Sequence, residues 1–134
     1  MKVFIDSNIP MYVAGADHPN RGAATRLLER VQTGEIEGCT STEVLQEILY
    51  RYAALARRDL AFTVYDAFTQ MCSAIFPVTL ADTDRARRLI EEQHTHGVRD
   101  AIHAAVMLNN DIPDIATFDR AFEEIPGVEV VELG

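Results

Sequence analysis

Cysteine, lysine and long apolar runs are all scarce in this chain of 134 residues. The only two cysteines, Cys39 and Cys72, have neither Cys-x-x-Cys spacing nor a histidine at zinc-like spacing, so we expect two reduced core thiols. No segment approaches the roughly 20 apolar residues that span a bilayer. Because the first residues lack the apolar segment of a secretory signal, we expect a cytoplasmic protein.

Positive charge is also scarce. The chain has 12 Lys and Arg residues against 21 Asp and Glu residues, a formal net charge of -9 at pH 7. This balance argues against a protein that holds nucleic acid mainly through a basic surface. It leaves room for a metal-dependent nuclease, because bound cations offset carboxylates locally.

Short apolar runs alternate with amphipathic segments along the whole chain. Strands are predicted over residues 2–5, 36–39, 75–78, 112–117 and 128–131. Helices are predicted over 9–14, 22–32, from a capping-box pattern at 40–43 to Tyr52, and over 60–73, 82–93 and 99–108. In the helix over 60–73, the core positions are predicted to be Phe62, Tyr65, Ala67, Phe68 and Met71. The alternation predicts an α/β domain over residues 1–134, with a short, mostly parallel sheet of four or five strands and helices on both faces.

Four acidic residues are predicted to lie around one edge of this sheet. Asp6 directly follows the first strand, and Asp119 follows the fourth strand, two residues after Thr117. Asp100 opens an alanine-rich helix, and Glu47 lies on another helix. Ligands of open parallel sheets bind outside the carboxyl ends of the strands. Carboxylates gathered there repel one another unless a cation lies among them, so the pattern predicts a divalent metal and phosphate chemistry.

Each carboxylate taken alone also has a structural explanation. Asp6 and Asp119 suit helix N-caps, and Asp100 suits the positive end of a helix dipole. Glu47 is equally well a solvated surface residue, and Glu43 competes with it but has a predicted role in the capping box. The joint placement of the four residues favours a shared site.

Other reactive residues give weaker signals. His103 follows Asp100 on the same predicted helix and is interpreted as a core histidine rather than a ligand. Ser7 and Ser41 lack the sequence of a nucleophile elbow. No glycine-rich phosphate loop or dinucleotide pattern occurs, which argues against a nucleotide cofactor.

Four segments carry a combined signature: residues 3–8 (Val-Phe-Ile-Asp-Ser-Asn), 41–50, 99–105 (Arg-Asp-Ala-Ile-His-Ala-Ala) and 116–122 (Ala-Thr-Phe-Asp-Arg-Ala-Phe). Together they resemble the PIN domain family and, within it, the VapC-type toxins of prokaryotic toxin–antitoxin pairs. The segments occur in the family's order and span nearly the whole chain. The resemblance implies a PIN-like three-layer fold and a metal-dependent endoribonuclease.

The resemblance also implies roles for particular residues. The catalytic residues and ligands of Mg²⁺ or Mn²⁺ would be Asp6, Glu47, Asp100 and Asp119, with Asn8 and Thr117 as supporting polar residues. Glu47 is favoured over Glu43 because the family's glutamate is followed by an apolar pair. Asp114 is either an extra acidic neighbour or a surface residue. If the chain cleaves RNA, Arg51, Arg99 and Arg120 are candidates for contacts with backbone phosphates, and solvated surface arginines are the alternative. The implied partners are an RNA substrate, a cognate antitoxin and a second copy of the chain.

Two other functions remain open at this point. A non-catalytic PIN-like module would bind RNA or protein without cleaving it, although such a module has no need of a repulsive carboxylate cluster. A metal-dependent DNA nuclease or phosphatase on a related sheet would use similar carboxylates. The Asp-x-Asp start of one large phosphatase family is absent, because Asp6 is followed by Ser7 and Asn8.

Overall fold

A five-stranded parallel sheet lies at the centre of the computed structural model, which describes residues 1–133. In chain order its strands are β1 (Lys2–Ile5), β2 (Glu37–Ser41), β3 (Ala74–Phe76), β4 (Asp114–Ala116) and β5 (Glu129–Val130). Their spatial order is β3-β2-β1-β4-β5, and every neighbouring pair is parallel. The predicted parallel sheet is confirmed, and β3, which Pro77 directly follows, lies at one edge.

Helices connect the strands in pairs. They are α1 (Asn8–Ala14), α2 (Arg21–Gln32), α3 (Thr42–Ala54), α4 (Arg58–Met71), α5 (Leu80–Glu91) and α6 (Val98–Asn109), with a 3₁₀ turn at Arg120–Glu124. Val3, Phe4 and Ile5 of β1 are all fully buried. Since successive strand residues point to opposite faces, helices cover both faces of the sheet. None of the helices within residues 1–133 has the length and apolarity needed to cross a membrane.

The direction in which strands are added reverses at β1. The chain first places β2 and β3 on one side of β1, and then β4 and β5 on the other. Phe4 consequently pairs with Cys39 on one side and with Ile115 on the other. Beyond the strands, the N–H of Asp6 donates to the carbonyl of Ala116 at 3.1 Å. The chain segments that follow β1 and β4 leave the sheet in different directions where the strand order reverses. A crevice is therefore expected between the ends of these two strands.

The predicted capping box at the start of α3 is wrong. The helix begins at Thr42, and the residue before it makes no side-chain capping bond. Thr40 lies inside β2, where its hydroxyl donates to the carbonyl of Ile5 at 3.1 Å, so it is not available to cap a helix. A capping box occurs instead at the start of α5, between Thr79 and Asp82.

The predicted core of α4 is partly wrong. Phe62 and Ala67 are exposed, whereas Ala61, Val64 and Phe68 are buried. The buried positions follow one helical stripe with spacings of three and four residues, along which α4 packs against α3 and α1. Phe62 lies off that stripe and is 59% exposed. Both cysteines are free, as expected, but only Cys39 is fully buried in the core, whereas Cys72 is half-buried at its margin.

Candidate active site

Asp6 is held between the ends of β1 and β4. Its Oδ1 accepts the N–H of Ser7 at 2.7 Å, and its Oδ2 accepts the hydroxyl of Thr117 at 2.8 Å. Burial raises the pKa of Asp6 above its ordinary value, although the charge of His103 and the bond from Thr117 oppose this. Helix α1 begins at Asn8 with Ser7 at the capping position, so Asp6 is not its N-cap.

Glu47 lies one helical turn inside α3 and points into the same site. It is only 4% exposed, so it is not the surface residue of the alternative interpretation. Its Oε1 lies 2.5 Å from Nε2 of His103, and its Oε2 accepts the hydroxyl of Ser7 at 2.9 Å. Arg99 adds a more distant charge, with its guanidinium 3.6 Å from Oε2. Protein donors therefore engage both oxygens of Glu47.

His103 lies in the same cluster, which the sequence interpretation did not predict. Its assignment to the core is correct for burial, but Nε2 also lies 3.8 Å from Oδ1 of Asp6. Among residues 1–133, Nδ1 has no hydrogen-bond partner. Ligand atoms of Asp6, Glu47 and His103 lie within 4.8 Å of one another. A signal was available in the sequence, because His103 lies three residues after Asp100 and hence on the same face of α6.

Asp100 and Asp119 form the second half of the site. Burial, followed by the negative charges of Asp119 and Asp6 and a hydrogen bond with Asp119, raises the pKa of Asp100 to about 6. Asp119 also accepts the N–H of Ala121 through Oδ1 at 3.0 Å, so it caps the 3₁₀ turn as well as facing Asp100. The structure thus brings all four predicted carboxylates to the β1–β4 crevice.

Asn8 and Thr117 connect the carboxylates, and Asp114 does not. The Thr117 hydroxyl accepts the Asn8 amide at 3.2 Å and the N–H of Asp119 at 3.0 Å while it donates to Asp6. Asp114 begins β4, so the strand separates it from the crevice beyond Ala116. Asp114 is therefore outside the site.

A profile of the PIN domain family matches residues 3–128. This chain belongs to the PIN domain family. It is 40% identical over 127 residues to ribonuclease VapC13 of Mycobacterium tuberculosis, across 95% of this chain and 97% of that protein. This relative identifies the chain as a VapC-type PIN domain.

Solved structures share the fold of this PIN domain. VapBC2 from Rickettsia felis, bound to a DNA fragment from its promoter, matches with a TM-score of 0.76 and 18% identity over 98% of both chains. A toxin–antitoxin complex from Klebsiella pneumoniae matches with a TM-score of 0.70 and 17% identity, again over 98% of both chains. The PIN-like fold predicted from the sequence is confirmed.

The charge distribution of this PIN domain fits a divalent cation. PIN nucleases generally depend on such a metal, and the site contains a buried cluster of Asp6, Glu47 and His103. The nearest carboxylate to Arg99 and to His103 is that of Glu47, and Arg99 also lies 3.8 Å from Glu43. Burial raises the pKa of Asp100, and the negative charges of Asp119 and Asp6 raise it further. A cation bound by carboxylate oxygens would neutralise that charge.

Proposed function

We propose that this PIN domain is a Mg²⁺- or Mn²⁺-dependent endoribonuclease that hydrolyses RNA phosphodiester bonds, and that it is the toxin of a toxin–antitoxin pair. The observation that carries the proposal is the convergence of Asp6, Glu47, Asp100 and Asp119 beyond the ends of β1 and β4. The name of VapC13, a ribonuclease at 40% identity, supports RNA as the substrate. Hard oxygen donors suit both metals.

Within the proposed site the four carboxylates have different tasks. Asp6, Asp100 and Asp119 would hold the cation, because burial and the negative charges of Asp119 and Asp6 together raise the pKa of Asp100. When bound, the cation lowers the pKa of a water molecule and neutralises charge on the scissile phosphate. Ser7 and Thr117 fix the orientation of Asp6, and Thr117 also fixes the backbone at Asp119.

The hydrogen-bond partners of Glu47 keep its carboxylate ionised. Burial alone raises the pKa of Glu47, but the hydrogen bond and charge of His103, together with Ser7 and Arg99, bring it below its ordinary value. Glu47 therefore stays ionised at neutral pH. In that state it directs a fixed negative charge into the crevice and orients water or cation ligands there.

RNA cleavage by purified protein tests the proposal. Total RNA is incubated with the wild type, Asp6→Asn and Asp100→Asn, each with Mg²⁺, Mn²⁺ or EDTA. Asp114→Asn serves as the matched control, because it removes an aspartate charge from the same sheet outside the site. We expect metal-dependent cleavage by the wild type and the control, and at least a hundredfold loss in both site variants.

Other outcomes of the same experiment identify the alternatives. Absence of cleavage together with absence of metal binding by calorimetry would reject the nuclease and favour a binding module. Equal cleavage of single-stranded DNA would favour a DNA nuclease. Hydrolysis of p-nitrophenyl phosphate without RNA cleavage would favour a phosphatase.

The proposed partner is a cognate antitoxin in the cytoplasm. The fold likeness to a toxin–antitoxin complex from Klebsiella pneumoniae supports this partner class. We expect expression of the wild type, but not of Asp100→Asn, to arrest bacterial growth. Co-expression of a short neighbouring gene should restore growth, and its purified product should inhibit RNA cleavage.

A second copy of the chain is the proposed partner of the α3–α4 surface. Tyr50, Leu55 and Phe62 are 61%, 65% and 59% exposed there. Burial of such residues favours association. We expect light scattering after gel filtration to give the mass of a dimer, and Phe62→Glu to give a monomer. Leu80→Glu, at another highly exposed position on α5, is the control and should remain dimeric.

A further inference from the structure

A small cavity adjoins the active site. It has a volume of about 220 Å³ and is lined by Ser7, Asn8, Met11, Tyr12 and Arg51. We propose that this cavity binds one nucleotide of single-stranded RNA beside the scissile phosphate, with its base against Tyr12 and its phosphate at Arg51. The inference rests on the proposed RNA cleavage and assigns a substrate subsite to it.

Helices α1 and α3 each connect the cavity to the active site. On α1, Asn8 contacts Thr117 of the active site, and Tyr12 follows it by one helical turn. On α3, Glu47 lies in the active site, and Arg51 follows it by one turn. Residues four positions apart lie on the same face of a helix. An RNA strand that leaves the carboxylates along these two faces therefore reaches the aromatic ring and the guanidinium together.

Arg51 is the candidate arginine with a free guanidinium. Arg99 lies 3.8 Å from Glu43 and 3.6 Å from Glu47. Arg120 is paired with Glu123. Within residues 1–133, no carboxylate lies within 4.0 Å of the Arg51 guanidinium. In a chain of net charge -9, a free arginine beside a phosphate-cleaving site provides a local anion contact.

Tyr12 provides a ring whose position is fixed by its neighbours. It meets Phe118 edge-on, with ring centroids 5.2 Å apart at 87°, and lies 4.4 Å from the ring of His18. Phe118 lies between Thr117 and Asp119, so the same segment positions the ring and the active site. A held aromatic ring stacks on any base with little loss of side-chain freedom. The combination of ring and guanidinium matches a nucleotide of unspecified base.

Binding of RNA to a cleavage-deficient protein tests the subsite. The Asp100→Asn protein is titrated in Mn²⁺ against a fluorescein-labelled single-stranded RNA of random sequence, about a dozen nucleotides long, and anisotropy is followed over a range of salt concentrations. Adding Arg51→Ala should weaken binding about threefold to tenfold and reduce the log–log salt slope by about 0.7. Arg51 is exposed, so its removal leaves the fold intact.

Tyr12 variants distinguish base stacking from charge. Tyr12→Ala should weaken binding about fivefold to a hundredfold with no change in salt slope. Tyr12→Phe keeps the ring and should bind within about twofold of the parent. Arg88→Ala is the matched control, because Arg88 is likewise exposed and lies on α5, away from the cavity. It should change neither the affinity nor the salt slope.

The outcomes separate the subsite from the proposed function. The subsite would be overturned if RNA affinity and salt slope stay unchanged in both Arg51→Ala and Tyr12→Ala. A cavity that binds a protein partner instead of RNA would give this result. Wild-type cleavage of RNA would then still support the nuclease. A protein that neither cleaves nor binds RNA would overturn both.

Discussion

Nε2 of His103 lies 2.5 Å from Oε1 of Glu47, and both side chains are almost wholly buried. Burial lowers the pKa of His103, but Glu47 and Asp6 together raise it above its ordinary value. Burial raises the pKa of Glu47, but His103 and Ser7 bring it below its ordinary value. Each partner thus stabilises the charged form of the other inside the protein.

Removal of either His103 or Glu47 alone should lower the stability of the folded protein. His103→Leu leaves the buried Glu47 without its main donor, so we expect the free energy of unfolding to fall by about 3–5 kcal/mol. The double variant Glu47→Gln/His103→Leu should lose less than the sum of the two single variants. Urea denaturation measures all four proteins. Additive losses would show that the two side chains do not stabilise each other.

The same pair should give a characteristic dependence of stability on pH. The raised pKa of His103 adds stability that is full below its ordinary value of 6.5 and is lost as pH rises through the folded pKa. The lowered pKa of Glu47 adds stability that is full above its ordinary value of 4.5 and is lost as pH falls through the folded pKa. The stability difference between the wild type and the double variant should therefore be largest between about pH 4.5 and 6.5. A difference that does not vary with pH would contradict the pairing.

Asp100→Asn should stabilise the metal-free protein at pH 7.5. The pKa of Asp100 is raised from 3.8 to about 6, so its contribution is favourable below 3.8 and is lost as pH rises through 6. After allowance for solvent screening, the gain from removing the charge is about 1–2 kcal/mol. Thermal unfolding in EDTA measures it, and Mn²⁺ should raise the melting temperature of the wild type much more than that of the variant. A variant less stable than the wild type in EDTA would contradict the uncompensated charge.

Thr117→Val should weaken the site while keeping the shape of the side chain. It removes the hydroxyl that donates to Asp6 and accepts from Asn8 and the N–H of Asp119. We expect metal affinity, measured by calorimetry, to fall about tenfold to a hundredfold. Thr117→Ser retains the hydroxyl and should bind metal nearly as well as the wild type. Equal affinity in Thr117→Val would show that Asp6 needs no support from the Thr117 hydroxyl.

The two thiols should be unreactive in the folded protein. Burial raises the pKa of Cys39 to about 11 and that of Cys72 to about 12. Because the thiolate is the reactive form, alkylation by iodoacetamide at pH 8 should be slow until the protein is unfolded in urea. Mass spectrometry at successive times measures the rate. Rapid alkylation of either cysteine without denaturant would contradict its burial.

Periodicity predicted the elements better than it predicted their buried faces. The order of strands and helices follows from runs such as Val3–Ile5 and from apolar positions at helical spacing. In α4 the apolar residues cover more than one face, so the pattern alone could not tell that Ala61 is buried and Phe62 is exposed. That choice depends on which side of the helix meets α3 and α1.

The sequence by itself determined the parallel α/β fold and the four carboxylates, because strand ends and helix starts are local signals that meet at one edge of such a sheet. Only the tertiary structure decided which partners each carboxylate contacts. It joins Glu47 to His103 and Ser7 across 56 and 40 positions of the chain, and it leaves Asp100 facing Asp119. Such pairings depend on how helices from distant parts of the sequence pack on the sheet, and no local pattern records them.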